Sequence, residues 1–455
     1  MMAAVLLING ALVLLMAAVE TVNFRRTGTI TFLTAAHALI LIGYCLPAFT
    51  ITFVPGTFLE TGPWSEADPN PWGSRIYILD LFDFLALPAS TYLTASIILM
   101  GSYIAMVAAY FTALRLPVPA LDGQRLPKWG VAGVGLFLLA IAAAAFAIYT
   151  PQFASVIRFL HDGQLVRKGG LQVQYGFLQV LMQVGVPAFI LLIAASLRFD
   201  RRIRAVFVAL AFAAWALALA RLLHAAGRLE LGSFLAFPVL ALMFLLRSKK
   251  TTWLMAGGLV LVVLVVASVP HDFFRHPLRE LPSALGSVAS DVVGTVHFII
   301  AEFAFPFVTS AHALTLVPDQ IPFRYFIDIP LGAAYMMPSF GGVDTLPPMI
   351  LSLQARILPW MPVDLLAFGY YSLGTLGALM IFAGFGAVLA VFDRWLTVSP
   401  GWLGQALRAA WLFYLPFRLF YADPYAAAQW GFGLIAGTFF VLMLSLWSRW
   451  RSPAA

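Results

Sequence analysis

The strongest constraint on this chain is a series of apolar runs, each close to twenty residues long, separated by connections of very different length and charge. A helix rises about 1.5 Å per residue, so about twenty apolar residues cross a ~30 Å hydrocarbon core. Within that core only a helix or a closed barrel satisfies every backbone polar group. The runs fall at about 2–22, 29–53, 89–114, 130–149, 175–197, 205–223, 234–247, 252–268, 374–392, 404–421 and 429–447. Charged residues make up 10% of the 455-residue chain and hydrophobic ones 62%, against roughly 25% charged in soluble domains. The expectation is an all-α, polytopic integral membrane protein of about 11 transmembrane helices. The first run has no basic leader and no small-residue cleavage site, so it reads as a retained helix. Cys45, the single cysteine, lies inside the second run, which excludes an intrachain disulfide.

Charge sets the expected orientation. Alternate connections hold Arg25 and Arg26, then Arg115, Arg125 and Lys128, then Arg198 to Arg204, Arg247 to Lys250, Arg394 and Arg408, and Arg449 and Arg451. That side carries 16 basic residues and four acids, and the other side 11 basic residues and 16 acids. Lys and Arg gather on the cytoplasmic side of short loops. The N-terminus is therefore expected outside and the C-terminus in the cytoplasm. The net charge of +7 follows from this topology and is no sign of a nucleic-acid partner.

The chain reads as one membrane domain, 1–455, with a large extracytoplasmic insertion at 269–373. Connections are commonly about 4–6 residues, and much longer ones carry function or structure of their own. This one is apolar and broken by prolines from Pro306 to Pro362, which predicts short amphipathic helices on or in the membrane surface. The stretch 292–317 approaches the length of a span, but Pro306 interrupts it.

No GxxxxGK[ST], GxGxxG, HExxH, CxxC or GxSxG is present, so nucleotide, zinc and serine-hydrolase chemistries have no support. The acids of the first outer loop (Glu60, Glu66, Asp68, Asp80 and Asp83) read as a solvated loop. The outer side is instead rich in arginine: Arg158, Arg167, Arg221, Arg228, Arg275, Arg279, Arg324 and Arg356. Guanidinium forks fit phosphate oxygens and keep their charge, although headgroup anchoring is the ordinary use of an arginine at a helix end. Six of seven histidines lie on the same side, His297 and His312 among them, with no spacing that suggests a metal site. Asp291 and Glu302, eleven residues apart, share a helix face in an apolar segment. A carboxylate in such surroundings is a functional candidate.

Two stretches resemble a known family. From Glu302 to Pro338, EFAFPFVTSAHALTLVPDQIPFRYFIDIPLGAAYMMP is similar to the long outer loop of the O-antigen and exopolysaccharide repeat-unit polymerases (Wzy-type). There an acid and a Phe precede a proline and an aromatic-rich stretch. GYYSLGTLG is similar to the Tyr-x-Asn-Phe-Gly-x-x-Gly signature that opens a late helix of that family, through Tyr370, Ser372, Leu373, Gly374 and Gly377. HAAGRLELGS resembles its Gly-Ser-Arg-Gly turn, with Arg228 matching and Ala226 in place of Ser.

The resemblance implies a glycosyltransferase of the lipid-linked, multi-spanning (GT-C-like) fold class in the cytoplasmic membrane. Such an enzyme would move a growing glycan from undecaprenyl pyrophosphate onto an incoming lipid-linked repeat unit, without metal or cofactor. A flippase and a chain-length regulator would be its partners. Glu302 is then the first choice of general base, with His297 and His312 next. Arg228, Arg158, Arg167 and Arg324 would hold the pyrophosphate, and Tyr325, Tyr370 and Arg356 the sugars. An O-antigen ligase is the nearest rival, and a lipid-linked oligosaccharide flippase or transporter the rival from another class. A transporter would be expected to show broken helices and charges at mid-membrane.

Overall fold

The computed structural model describes residues 1–53, 87–118, 125–167, 175–225, 303–335, 363–397 and 401–451, with a few single positions between them. Fourteen α-helices run through these stretches. They are α1 Met2–Thr27, α2 Phe32–Ile40, α3 Leu46–Phe53, α4 Ala89–Ala113, α5 Lys128–Tyr149, α6 Val156–Arg167 and α7 Phe177–Met182. After them come α8 Gly185–Ser196, α9 Arg201–Ala225, α10 Phe305–Leu316, α11 Asp328–Tyr335, α12 Leu365–Leu396, α13 Gly401–Tyr414 and α14 Pro424–Arg451. Among the described residues there is no strand. Eight stretches are long and apolar enough to cross a membrane: Met2–Thr27, Phe32–Phe49, Ala89–Ala113, Lys128–Phe153, Phe177–Ser196, Arg201–Ala225, Leu365–Leu396 and Pro424–Ser448. They coincide with eight of the eleven runs in the sequence. Run 252–268 lies outside the described residues, and so does run 234–247 apart from Phe234, Leu240 and Ala241.

Run 404–421 takes a different form. Its helix stops at Tyr414, and a 3-10 turn follows over Pro416–Leu419. Pro416 has no N–H to continue the ladder, so the α-helix gives way to the tighter turn even though Leu415 keeps helical angles (φ −71°, ψ −52°). Laid end to end, the two pieces still reach about 29 Å. Pro306 also acts differently from expectation. It sits in the first turn of α10, where its missing N–H costs nothing, and so begins a helix that it was expected to interrupt. Seven consecutive residues of α10, Phe305 to Ala311, are buried. It is thus a core helix and not the amphipathic surface helix anticipated.

The chain divides into two compact units interleaved along the sequence. Unit 1 comprises Met1–Val118, Asp291–Arg394 and Tyr414–Ala428. Within it, Gly28 closes α1 in the left-handed conformation with φ 63°, its N–H on the Phe24 carbonyl. Thr31 and Thr34 then start α2 with a reciprocal capping pair. A π-turn at Leu41–Cys45 joins α2 to α3, with the Leu46 N–H reaching back to the Leu41 carbonyl. Pro47 would clash with the carbonyl of Gly43 in a regular α-turn; the wider turn avoids this and redirects Tyr44.

Unit 2 comprises Pro119–Ser290, Trp395–Phe413 and Gln429–Ala455. There α8 packs on both α5 and α9. Small residues set the spacing: Gly135 against Leu192 and Gly185 against the backbone of Ala214. One end is filled by Tyr149, Phe153 and Phe159, with the His224 ring stacked on Phe159 at 4.1 Å between centroids.

Candidate functional site: a helix corner in unit 1

Helix α12 contains a two-residue break. Leu373 (φ −155°, ψ 34°) and Gly374 (φ 62°, ψ −149°) leave the helical region, and only glycine adopts the second conformation without strain. The two halves then fold against each other. A Cβ on Gly369 would lie 2.6 Å from the Cα of Ala378, and one on Gly377 would collide with the Gly369 carbonyl. In a straight helix these two glycines would be about 12 Å apart. The break is therefore a sharp corner.

A break exposes carbonyls that the first half can no longer satisfy, which is costly when they are buried. A distant segment supplies the donors. The N–H of Arg324 bonds to the Tyr371 carbonyl at 3.2 Å, and that of Tyr325 to the Ser372 carbonyl at 2.7 Å. To make this joint, Tyr325 and Phe326 adopt left-handed backbones with φ 54° and 58°. Two aromatic residues in that region store about 1–3 kcal/mol each, a strain found mostly at ligand clamps and active sites. The Phe323 ring closes over Gly374, and Phe326 packs edge-on against Phe368.

Around this joint lie charged and aromatic groups. The Arg324 guanidinium forks onto Asp328, through Nε to Oδ2 at 3.3 Å and Nη2 to Oδ1 at 2.9 Å. Tyr325 is 71% exposed and presents its ring, while Tyr370 is half-buried beside Phe323 and Phe326. Asp423 accepts the Tyr425 N–H at 2.9 Å. Burial pushes its carboxyl above the usual range, backbone N–H groups pull it down, and the Asp328 charge raises it further. Arg418 lies over the Tyr414 ring, 4.6 Å from its centroid. Gly332 lets α11 approach the backbone of Pro424 and Tyr425 more closely than any side chain would allow.

At the N-terminus of α12 sits Asp364, fully buried. Its Oδ1 accepts from Tyr44 Oη at 2.7 Å, Ser310 Oγ at 2.8 Å and the N–H groups of Leu366 and Ala367 at 2.9 and 3.1 Å. No described residue donates to Oδ2. Burial raises this carboxyl to about 6, against the pull of its four donors. The acid thus links the π-turn, α10 and α12, the three pieces that frame the corner.

Of the residues named from sequence, Arg324, Tyr325 and Tyr370 come together at the corner. His312 is half-buried on α10, one half-turn from Ser310. Arg158 is exposed in the first turn of α6 in unit 2, its N–H on Ser155 Oγ at 3.1 Å. Arg167 ends the same helix, with its side chain outside the described set. Glu302, His297, Arg228 and Arg356 lie outside the described residues. Sequence reasoning missed Asp328, Asp364 and Asp423. Asp364 had a usable signal, a lone acid just before an apolar run, which is an N-cap pattern. Asp328 had a weaker one, four residues after Arg324. The chain matches no family model, no curated protein and no solved structure.

Proposed function

We propose that this protein is a repeat-unit polysaccharide polymerase acting on undecaprenyl-pyrophosphate-linked oligosaccharides at the outer face of the cytoplasmic membrane. One observation carries the proposal. The two segments that resemble such polymerases, 302–338 and 369–377, are distant in sequence, yet they join backbone to backbone at Arg324–Tyr371 and Tyr325–Ser372. An exposed tyrosine ring beside paired carboxylates and guanidiniums is the chemistry that recognises sugars, by stacking and bidentate hydrogen bonds. In the proposed reaction the acceptor hydroxyl attacks the anomeric carbon of the donor glycan. The bond from that carbon to the pyrophosphate oxygen breaks, and undecaprenyl pyrophosphate leaves with the electron pair. The hydroxyl proton passes to a carboxylate, Glu302 by its place in the resemblance or Asp423 by its place at the corner. Arg158, Arg167 and Arg228 are assigned to the pyrophosphate. Arg324 reaches a phosphate only with Asp328 already attached.

A second reading, as a flippase, draws on Glu20 and His37, which are paired inside spans. The corner does not add to it. The stretch Thr375–Leu396 alone measures about 33 Å, a full crossing, so the break lies at the edge of a span, not at its middle.

One assay separates the readings. Purified protein in nanodiscs receives lipid-linked repeat units, and the glycan is analysed on a sizing gel. A ladder of multiples supports the polymerase. If the units stay single while proteoliposomes move them between leaflets, the polymerase proposal is wrong and the flippase stands.

A further inference from the structure

Unit 1 holds a second polar construction, away from the corner. Near the C-terminal end of α1, Glu20 Oε2 meets His37 Nδ1 of α2 at 2.9 Å, and Oε1 accepts from Thr34 Oγ1 at 2.7 Å. The other ring nitrogen, His37 Nε2, meets Tyr103 Oη of α4 at 3.0 Å. Thr34 continues to Thr31 at 3.0 Å, and Thr31 to Asn23 at 2.8 Å. Tyr110 bonds Asp393 at 2.7 Å, and that carboxylate also takes the Phe32 N–H that begins α2. Of these groups, Glu20, His37 and Tyr103 stand in an unbroken line of hydrogen bonds and can each take and give a proton.

Access to this chain is asymmetric. The Glu20 side chain is 26% exposed and that of His37 8%, whereas Tyr103 is fully buried. Among the described residues the line is thus most open at the carboxylate and closed at Tyr103. A buried ion pair kept only for stability would be replaceable by apolar packing at little cost. Ionisable groups inside spans are instead hallmarks of ion and proton handling. We propose that Glu20, His37 and Tyr103 form a one-ended proton-binding site inside the membrane.

The site works as follows. With His37 neutral, its Nδ1–H faces the Glu20 carboxylate and its Nε2 accepts from Tyr103, leaving one net negative charge. A proton entering past Glu20 converts the imidazole to imidazolium, and the Tyr103 hydroxyl rotates from donor to acceptor. The loaded site carries no net charge. The groups facing it are Glu20 from α1, Tyr103 from α4, and Thr31 and Thr34 from the start of α2. Arg26, Tyr110 and Asp393 form the neighbouring cluster. The 3-10 turn packed on α2 brings Arg418, which is held over Tyr414.

A proton that binds within the membrane dielectric moves charge, and pH jumps over proteoliposomes on a solid-supported electrode read that movement as a transient current. The full-length protein should give a transient that decays to zero. Glu20→Gln and His37→Gln, matched for inserted protein and monodisperse by size exclusion, should each lower the displaced charge at least ten-fold, and Tyr103→Phe less than three-fold. Wild-type protein without a transient overturns the proposal, whether or not the variants fold. Equal transients in folded Glu20→Gln or His37→Gln overturn it too, and a sustained current would replace a closed site with a channel. The measurement uses no glycan, so its failure is distinct from failure of the polymerase reading.

Discussion

The two units bury opposite charges. Among the described residues, the buried carboxylates Asp328, Asp364 and Asp393 all belong to unit 1, whereas the buried guanidiniums Arg221 and Arg408 both belong to unit 2. The packing differs in the same way. Unit 1 threads hydrogen bonds between its helices, from Asn9–Ser96 at 2.9 Å to Tyr44–Asp364 at 2.7 Å. Unit 2 relies on glycine contacts and stacked rings, with fewer cross-helix polar pairs such as Trp411–Thr438 at 2.9 Å. Hydrogen-bonded acids fix the geometry of the helices they join. The contrast teaches two ways of holding helices together among the described residues: polar links in unit 1, close apolar packing in unit 2.

The contrast breaks most visibly at the Arg324–Asp328 fork. Both side chains are nearly buried, at 10% and 3% exposure, and removing one partner of such a pair typically costs about 3–5 kcal/mol. Asp328→Asn should lower the thermal midpoint in detergent strongly, and adding Arg324→Met should recover part of the loss. If Asp328→Asn leaves the midpoint unchanged, the corner is not held by this pair.

Asp364 comes next. Its folded-state carboxyl lies near 6, raised by burial above the 3.8 of an unperturbed Asp. Its stabilising contribution is therefore complete below about pH 4 and lost as pH rises through 6, an amount on the order of 3 kcal/mol. Asp364→Asn keeps an acceptor for Tyr44 and should flatten the thermal midpoint across pH 4–6. A wild-type slope that survives in the variant would assign that dependence to other acids.

Glycine substitutions sharpen the packing side of the comparison. Gly369→Ala meets backbone that cannot yield, and should cost about 1–3 kcal/mol. In unit 2, Gly135→Ala meets side-chain atoms and no backbone, Leu192 at 3.0 Å and the Leu191 Cβ at 3.3 Å, and should cost less than about 1.5 kcal/mol. Denaturation midpoints of the two variants would test the order. The smallest structural effect belongs to Arg158→Ala: exposed in unit 2, it should change stability by under about 0.5 kcal/mol. Its polymer yield should nevertheless fall if unit 2 holds the pyrophosphate; unchanged yield would remove Arg158 from that role.

Hydropathy made the helical frame legible, because twenty consecutive apolar residues leave few other folds. It was blind to the corner at Leu373–Gly374, since a window of about nineteen residues averages over a two-residue break. It also extended a run through Pro416, where the backbone ends the helix. Glu20 and His37 lie in separate apolar runs, and their pairing is a tertiary distance that no spacing rule encodes. Arg324, Tyr325 and Tyr370 were legible as a motif, but the acids around them were not. Two of these, Asp328 and Asp423, are brought to the corner only by the tertiary fold.

The joint between Arg324–Tyr325 and Tyr371–Ser372 is made by main-chain atoms alone. Substituting either side chain leaves those N–H groups in place, so the fastening is independent of what it fastens. Position 325, whose ring is exposed, is thus free to be exchanged like a bit in a chuck, whereas position 324 is tied to Asp328 by its guanidinium. For an engineer, Tyr325 is the place to vary at low structural risk, and the glycines beneath it are not.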